Sequence, residues 1–563
     1  MKRIVTLSIG FLIFAELAVL AFSFPNRPRD AGPGVSGQVA SVSFAPYRDG
    51  QSPLTQVFPT RDQIEEDLTR LKGIARGVRT YTSREGMEVV PLLAEKLGFK
   101  VIQSAWITSD TTEKGRDTNE AETDSLIQLA NEYPDSVERV IVGNEVLLRR
   151  DLPPDRLIEY IRKVKARVKQ PVSYADVWAF WLKNPQVAAE VDFITIHILP
   201  YWEDEPVGVD RVGAHFEMIH RMVSEAFPGK PILIGEAGWP TQGRSRGPAA
   251  PGVVNAAKHL RTLVETSIKN GFDYNLVEAF DQGWKYELEG TVGAKWGLLD
   301  QDRALKYPLM GEVPEDAGWM GKAIAAIALA LAMVLVLRRD LMSGRAVLAV
   351  GSLALAQLLS VLFVGFASAS HGAAFTFWTS LAPILAGSGL AVLCFGCVRQ
   401  SAAWAAGRLE APSQGIRNWM AVFTVYAIVL AIAVSSNGRY RDIPVPLLSV
   451  LAASVLGLAF LARLAGAEWR NALAGLTAFD GGRGDRVLAL ALPLAALDSL
   501  VGEGFALLGE DFTRMHPSLA DQVPFILKGM VSNSEVLALA GLLLLLALPH
   551  IAAVLKRKSS FAR

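Results

Sequence analysis

Cysteine is nearly absent from this 563-residue chain: there are two, Cys394 and Cys397, and both lie in an apolar run. Whatever folds in the first 318 residues is therefore held by packing and not by disulfides. Net charge is absent as well. Lysine plus arginine and aspartate plus glutamate each number 56, so no basic field marks a nucleic-acid surface, and nucleic acid is not expected as a partner. The glycine-rich phosphate turn of a doubly wound nucleotide fold is missing too. The first β-type run leads instead into Ala45-Pro46-Tyr47-Arg48. Cys394-Phe395-Gly396-Cys397 has metal or redox spacing but no further ligands nearby, and reads as small apolar packing. No metal or cofactor is expected.

What is present divides in two. Hydrophobic residues make up 51% of the chain and mean hydropathy is +0.27, yet 20% of residues are charged. Residues 1–24 carry Lys2 and Arg3 followed by an apolar run, the pattern of a signal anchor or a signal peptide. Residues 25–37 read as a Pro/Gly/Arg-rich linker. From 38 to 310, short β-branched runs alternate with helical patterns. Eight runs are strand candidates: 39–44, 77–82, 100–107, 139–146, 171–177, 193–199, 231–237 and 274–280. Eight βα units in roughly 265 residues match a (β/α)8 TIM barrel of about 250. The fold class is thus α/β, a barrel followed by an all-α polytopic region.

That region, residues 319–558, holds about seven runs of membrane length: 320–337, 346–367, 373–398, 419–435, 445–464, 487–508 and 535–555. Arg338, Arg339 and Arg345, then Arg399, Arg408 and Arg417, then Arg463, Arg470, Arg483 and Arg486, and finally Lys556-Arg557-Lys558, fall on one side with Lys2 and Arg3. By the positive-inside rule that side is cytoplasmic, and the 38–310 domain lies outside. Arg439 and Arg441 are exceptions in an outer loop. Asp498 and Glu503 fall within a proposed span and are functional suspects or marks of a shorter span.

Val142-Gly143-Asn144-Glu145-Val146 closes the fourth strand, and Ile234-Gly235-Glu236-Ala237-Gly238-Trp239-Pro240-Thr241 the seventh. Strand C-terminal ends face the mouth of a TIM barrel, so Glu145 and Glu236 would converge there. A retaining glycosidase needs such a pair about 5–5.5 Å apart, one a raised-pKa acid/base and the other a nucleophile. Six tryptophans follow strands: Trp106, Trp178, Trp181, Trp202, Trp239 and Trp284. Flat aromatic faces suit pyranose rings, and Tyr201-Trp202 and Trp178 with Trp181 are the preferred platforms. His197, in strand six, either reaches the reacting sugar or is a hydrogen-bonded barrel histidine.

The two glutamate motifs resemble glycoside hydrolase family 17, the β-1,3-glucanases and β-1,3-glucanosyltransferases. The resemblance covers about half the chain and assigns Glu145 as acid/base and Glu236 as nucleophile. It implies that Asn144 bonds the 2-hydroxyl of the sugar being transferred, that Arg79 steadies the nucleophile, and that Tyr81 lines the pocket; Tyr47 is a further substrate-binding candidate. Lys285 and Glu289 fit a supporting glutamate–lysine–glutamate set placed near the acid/base, but Gln282 stands where a glutamate is usual. An export segment, this domain and a polytopic tail together resemble bacterial membrane β-(1→6)-glucan synthase-type proteins. The expected function is a retaining β-glucan transferase in the periplasm, anchored in the inner membrane of a bacterium, with the lipid bilayer, a β-glucan and a separate membrane β-1,3-glucan synthase as partners. A tethered hydrolase and a non-catalytic glucan-binding scaffold are the alternatives. Inner loops such as 399–417 are too short to fold a nucleotide-binding polymerase domain.

Overall fold

The computed structural model describes residues 2–561. Two compact units emerge: residues 28–313, and residues 1–27 together with 314–563.

The first unit is a closed barrel of eight parallel strands, each paired with the next. They are β1 (Val39–Ser43), β2 (Ala75–Arg79), β3 (Lys100–Ala105), β4 (Val137–Asn144), β5 (Val172–Val177), β6 (Ile194–His197), β7 (Ile232–Ala237) and β8 (Asp273–Leu276). Val42 opposite Leu276 closes the ring between β1 and β8. Every run read as a strand overlaps one, though β2, β4 and β8 begin one or two residues earlier than expected. β8 stops four residues short of expectation; beyond it Ala279 N–H still donates to Ser43 O (2.9 Å), while Leu298 N–H donates to Glu278 O (2.8 Å) and Leu299 N–H to Ala279 O (2.9 Å).

Local sequence explains the connecting helices. Thr60 caps the helix Arg61–Leu71: its hydroxyl accepts from Gln63 N–H (3.4 Å) and the Gln63 side chain accepts from Thr60 N–H (2.9 Å). Ile64, Leu68 and Leu71 then share one face and are buried. Residues 28–37 were read as a linker, but they pack on the barrel. Ala31 and Val35 are buried, and Arg261 donates to Gly32 O (3.1 Å).

The second unit is helical. Among the described residues, eight helices are long and apolar enough to cross a membrane: Arg3–Ser23, Trp319–Val336, Ala346–Gly372, Phe377–Ala405, Gln414–Ser436, Val445–Leu464, Arg483–Phe505 and Ser534–Arg557. Their buried hydroxyls are satisfied within their own helix. Ser352, Ser360, Thr424, Ser454 and Ser499 each donate to the carbonyl four residues back, at 2.7–2.9 Å. Cys394 and Cys397 are buried thiols within the Phe377–Ala405 helix. Asp498 accepts from Ser435, and Glu503 from Asn533 (2.7 Å).

Candidate active site

Glu145 sits one residue beyond β4, and Glu236 is the penultimate residue of β7. Two glycines shape these ends. Gly143 has φ 87°, and a Cβ on Gly235 would stand 2.2 Å from Thr195 Cγ2, so no larger residue fits beside Glu236. The result brings an oxygen of Glu145, a ring nitrogen of His197 and an oxygen of Glu236 all within 4.8 Å of one another. These three are the one potential metal-ligand group among the described residues. Arg79 already places a fixed cation 3.2 Å from the same Glu236 oxygen, which favours a carboxylate pair over a dication site.

Neighbouring strands fix each carboxylate differently. Arg79, fully buried at the end of β2, donates to Glu236 Oε1 (3.2 Å), to Gly235 O (2.9 Å) and to Asn144 Oδ1 (2.5 Å). Tyr81 donates its hydroxyl to Glu236 Oε1 at 2.9 Å. Asn144 Oδ1 is thus occupied, while its amide nitrogen has no protein partner among the described residues. His197 Nδ1 bonds Glu145 Oε1 at 2.8 Å. Its buried Nε2 has no hydrogen-bond partner and lies 3.6 Å from Glu236 Oε1. The histidine therefore stands between the two carboxylates.

A raised pKa was expected for Glu145, and the structure gives the opposite direction. Burial raises it, but the His197 hydrogen bond and the attraction of His197, Arg149 and Arg79 outweigh burial and hold the carboxyl below its ordinary range.

The aromatic residues divide. Tyr201 and Trp239 were expected to hold sugar, but they are 0% and 3% exposed. Their polar ends are bound to loop carbonyls, Tyr201 to Arg244 O (2.7 Å) and Trp239 to Ala250 O (3.0 Å), leaving no free ring face. Trp181 is likewise core, its indole donating to Thr195 O (2.8 Å). Trp178 is almost buried, with its N–H on Glu203 (3.2 Å). Trp202 is half-buried and stacks on Trp296 at 6.0 Å and 16°. Trp106 is 36% exposed beneath the Arg149 guanidinium, 4.2 Å from the ring centroid. Tyr47 donates to Glu85 (3.2 Å) and meets Trp284 edge-on at 6.0 Å. Burial and the Glu85 charge push its phenol well up.

Sequence reasoning missed Glu278. Fully buried just past β8, it accepts from Lys285 Nζ at 2.9 Å. Burial, with the charges of Glu289 and Glu236, pushes its carboxyl up to about 7 against the opposing pull of Lys285. Burial lowers Lys285, but Glu278 and Glu289 more than reverse this. The carboxylate–lysine–carboxylate set is therefore Glu278, Lys285 and Glu289, with Glu236 within electrostatic reach of Glu278 and Lys285. Gln282 plays another part: its amide donates to Ala45 O and accepts from Trp284 Nε1 (2.9 Å), bracing the β1 loop. A lone charge inside Val277-Glu278-Ala279-Phe280 at a strand's C-terminal end was the available signal.

Residues 41–297 match the BtgE/BtgC glycoside hydrolase domain. A curated relative, the glucan 1,3-beta-glucosidase of Schizosaccharomyces pombe, is 30% identical over 267 residues, covering 44% of this chain and 80% of that protein. The chain belongs to glycoside hydrolase family 17. The probable glucan endo-1,3-beta-glucosidase btgC of Aspergillus fumigatus is 28% identical over 310 residues, 49% of this chain but only 43% of that protein. Among solved structures, the family 17 β-1,3-glucanosyltransferase of Rhizomucor miehei is 28% identical, covering 48% of this chain and 97% of that one, with a TM-score of 0.42. Each match accounts for about half of this family 17 chain.

Proposed function

We propose that the barrel cleaves β-1,3-glucan with retention, Glu236 attacking the anomeric carbon and Glu145 serving as acid and then base. The observation that carries this reading is the opposed pair itself: carboxylate oxygens from β4 and β7 within 4.8 Å. That is short of the roughly 6.5–9.5 Å an inverting enzyme needs to seat a water. Arg79 and Tyr81 converge on one oxygen of Glu236 and leave its other oxygen to form the glycosyl ester. His197, bonded to Glu145 Oε1 at 2.8 Å, holds the carboxyl that gives its proton to the leaving oxygen. The free Asn144 amide is the donor for the sugar 2-hydroxyl. Relatives named glucan 1,3-beta-glucosidase support the substrate class.

The second half-reaction separates transfer from hydrolysis. Glu145 must deprotonate either water or a sugar hydroxyl, and a held acceptor gains effective concentration over water. Trp106, with an open face beside the Glu145 turn, and the Trp202–Trp296 stack favour a held sugar. The proposed role is therefore glucanosyl transfer that lengthens, branches or cyclises a β-glucan made by a separate membrane synthase. Eight apolar helices support an inner-membrane anchor with the barrel on the periplasmic side. Arg3 donates to the backbone oxygens of Leu341, Ser343 and Gly344 at 2.5–3.2 Å, which supports retention of the first helix as a span. A mechanism-based 2-deoxy-2-fluoro laminaribioside tests the nucleophile. It should add one glycosyl mass to the peptide holding Glu236, and a label on any other residue refutes the assignment.

A further inference from the structure

The turn carrying Glu145 is built against its own preference. Glu145 has φ 54°, the left-handed region that an ordinary side chain disfavours, two residues after Gly143 at φ 87°. Such a turn persists only where its surroundings over-determine it. Here β5 supplies the restraint. Glu145 N–H donates to Ala175 O at 2.7 Å, Leu147 N–H to the Tyr174 hydroxyl oxygen at 2.9 Å, and Leu148 N–H to Asp176 Oδ2 at 3.4 Å.

The last two bonds come from side chains that also bond each other. The Tyr174 hydroxyl donates to Asp176 Oδ2, and Asp176 Oδ1 accepts from Val177 N–H at 2.8 Å. Tyr174 is 1% exposed and Asp176 0%. The tyrosine ring packs on Trp181 at 5.6 Å and stands 3.5 Å from where a Cβ on Gly143 would be. One phenol thus touches the turn at both ends, through its ring at Gly143 and through its oxygen at Leu147.

A buried carboxylate is a costly way to satisfy a tyrosine, since a neutral amide would serve. Its placement is also specific. Asp176 lies in the field of Glu145, and burial together with that charge pushes its carboxyl up to about 7. Both residues are sealed from the sugar, so their influence on chemistry runs through the turn.

We propose that Tyr174 and Asp176 are positioning residues for Glu145, holding its carboxyl where it meets the leaving-group oxygen. This rests on Glu145 being the acid/base. Removing the tether loosens the acid and spares the nucleophile, whose supports Arg79 and Tyr81 come from β2 and the residues just beyond it. A misplacement of about 1 Å is worth on the order of 10²-fold in rate.

The test uses the full chain in detergent or nanodiscs with two substrates. One is an unsubstituted β-1,3-gluco-oligosaccharide, whose leaving oxygen needs a proton. The other is a 2,4-dinitrophenyl β-laminaribioside, whose leaving group departs without one. Tyr174→Phe and Asp176→Asn should lower kcat/KM on the oligosaccharide about 10- to 100-fold and change it less than about threefold on the dinitrophenyl substrate. Glu145→Ala is the reference and should show the same split, enlarged. Equal losses on both substrates mean general damage and overturn the proposal, and so does no loss on either. If Glu145→Ala itself shows no split, the acid/base assignment has failed instead, and that outcome is separate from a variant-only failure.

Discussion

The two units bury polar groups with different mixes of local and long-range contacts. In the barrel, buried charges reach across sequence: Arg79 meets Glu236 and Asn144, Lys285 meets Glu278, and Arg303 meets Asp67 at 2.7 Å. In the helical unit buried serine and threonine hydroxyls mostly bond a carbonyl three or four residues back in their own helix, while His550 on Asp485 (2.7 Å) and Asn533 on Glu503 (2.7 Å) are buried pairs of longer range, and the outward faces carry Val425, Val429, Leu494 and Leu544. A chain in hydrocarbon has no solvent to satisfy what its own helix does not. A barrel in water can spend long-range polar contacts on holding a site. The barrel thus gathers buried charge at one end, whereas the helical unit has eight helices long and apolar enough to cross a membrane.

The sharpest way to break the comparison is to remove the chemistry alone. Glu236→Gln should lower glucan turnover by at least about 10³-fold, with membrane association unchanged, as followed by sugar release and by sedimentation with membranes. Next comes charge on each surface. Val425→Arg, midway along the Gln414–Ser436 helix and 48% exposed, should cost about 2.5–3.5 kcal/mol of insertion free energy and deplete the protein from the membrane fraction. Ile268→Arg, 79% exposed on the barrel, should stay within about 0.5 kcal/mol by thermal melting. Equal costs would refute the contrast.

A subtler change acts on pH dependence. Attraction from His197 holds the Glu145 carboxyl below its ordinary range against burial, which raises it. His197→Asn removes the attraction and leaves burial, so the carboxyl titrates at higher pH. The step that needs it protonated then survives to higher pH, and the basic limb of the kcat/KM profile moves up. A limb that moves down would contradict the pairing. The smallest effect concerns the first helix. Arg3→Ala loses the bonds to Leu341, Ser343 and Gly344 and should cost about 1 kcal/mol in a melt of the solubilised chain, leaving barrel activity intact.

Much of this was legible because barrels write themselves in β-branched runs: the apolar cores of 139–146 and 231–237 announce strands, and Asn-Glu and Gly-Glu at their C-terminal ends announce the mouth. Other features were hidden for physical reasons. Tyr174 and Asp176 alternate within β5 as ordinary strand residues, and only the turn of β4 shows what they hold. Glu278 hid in an apolar stretch because its partner, Lys285, lies beyond a break in the ladder. Tyr201 and Trp239 looked like platforms because sequence marks their position after a strand but not the loop 244–250 that covers them. Residues 28–37 lack periodicity, so their packing on the barrel left no pattern to read.

The central claim is that Glu145 and Glu236 move glucan from donor to acceptor through a covalent intermediate. The direct measurement incubates the full chain with linear β-1,3-gluco-oligosaccharides, without sugar nucleotide, and follows product masses over time beside Glu236→Gln. Products longer than the substrate, or lighter than the linear ladder by one water, are expected with the native chain and absent with the variant. Products that only shorten would contradict transfer, and growth that persists in Glu236→Gln would contradict the site itself.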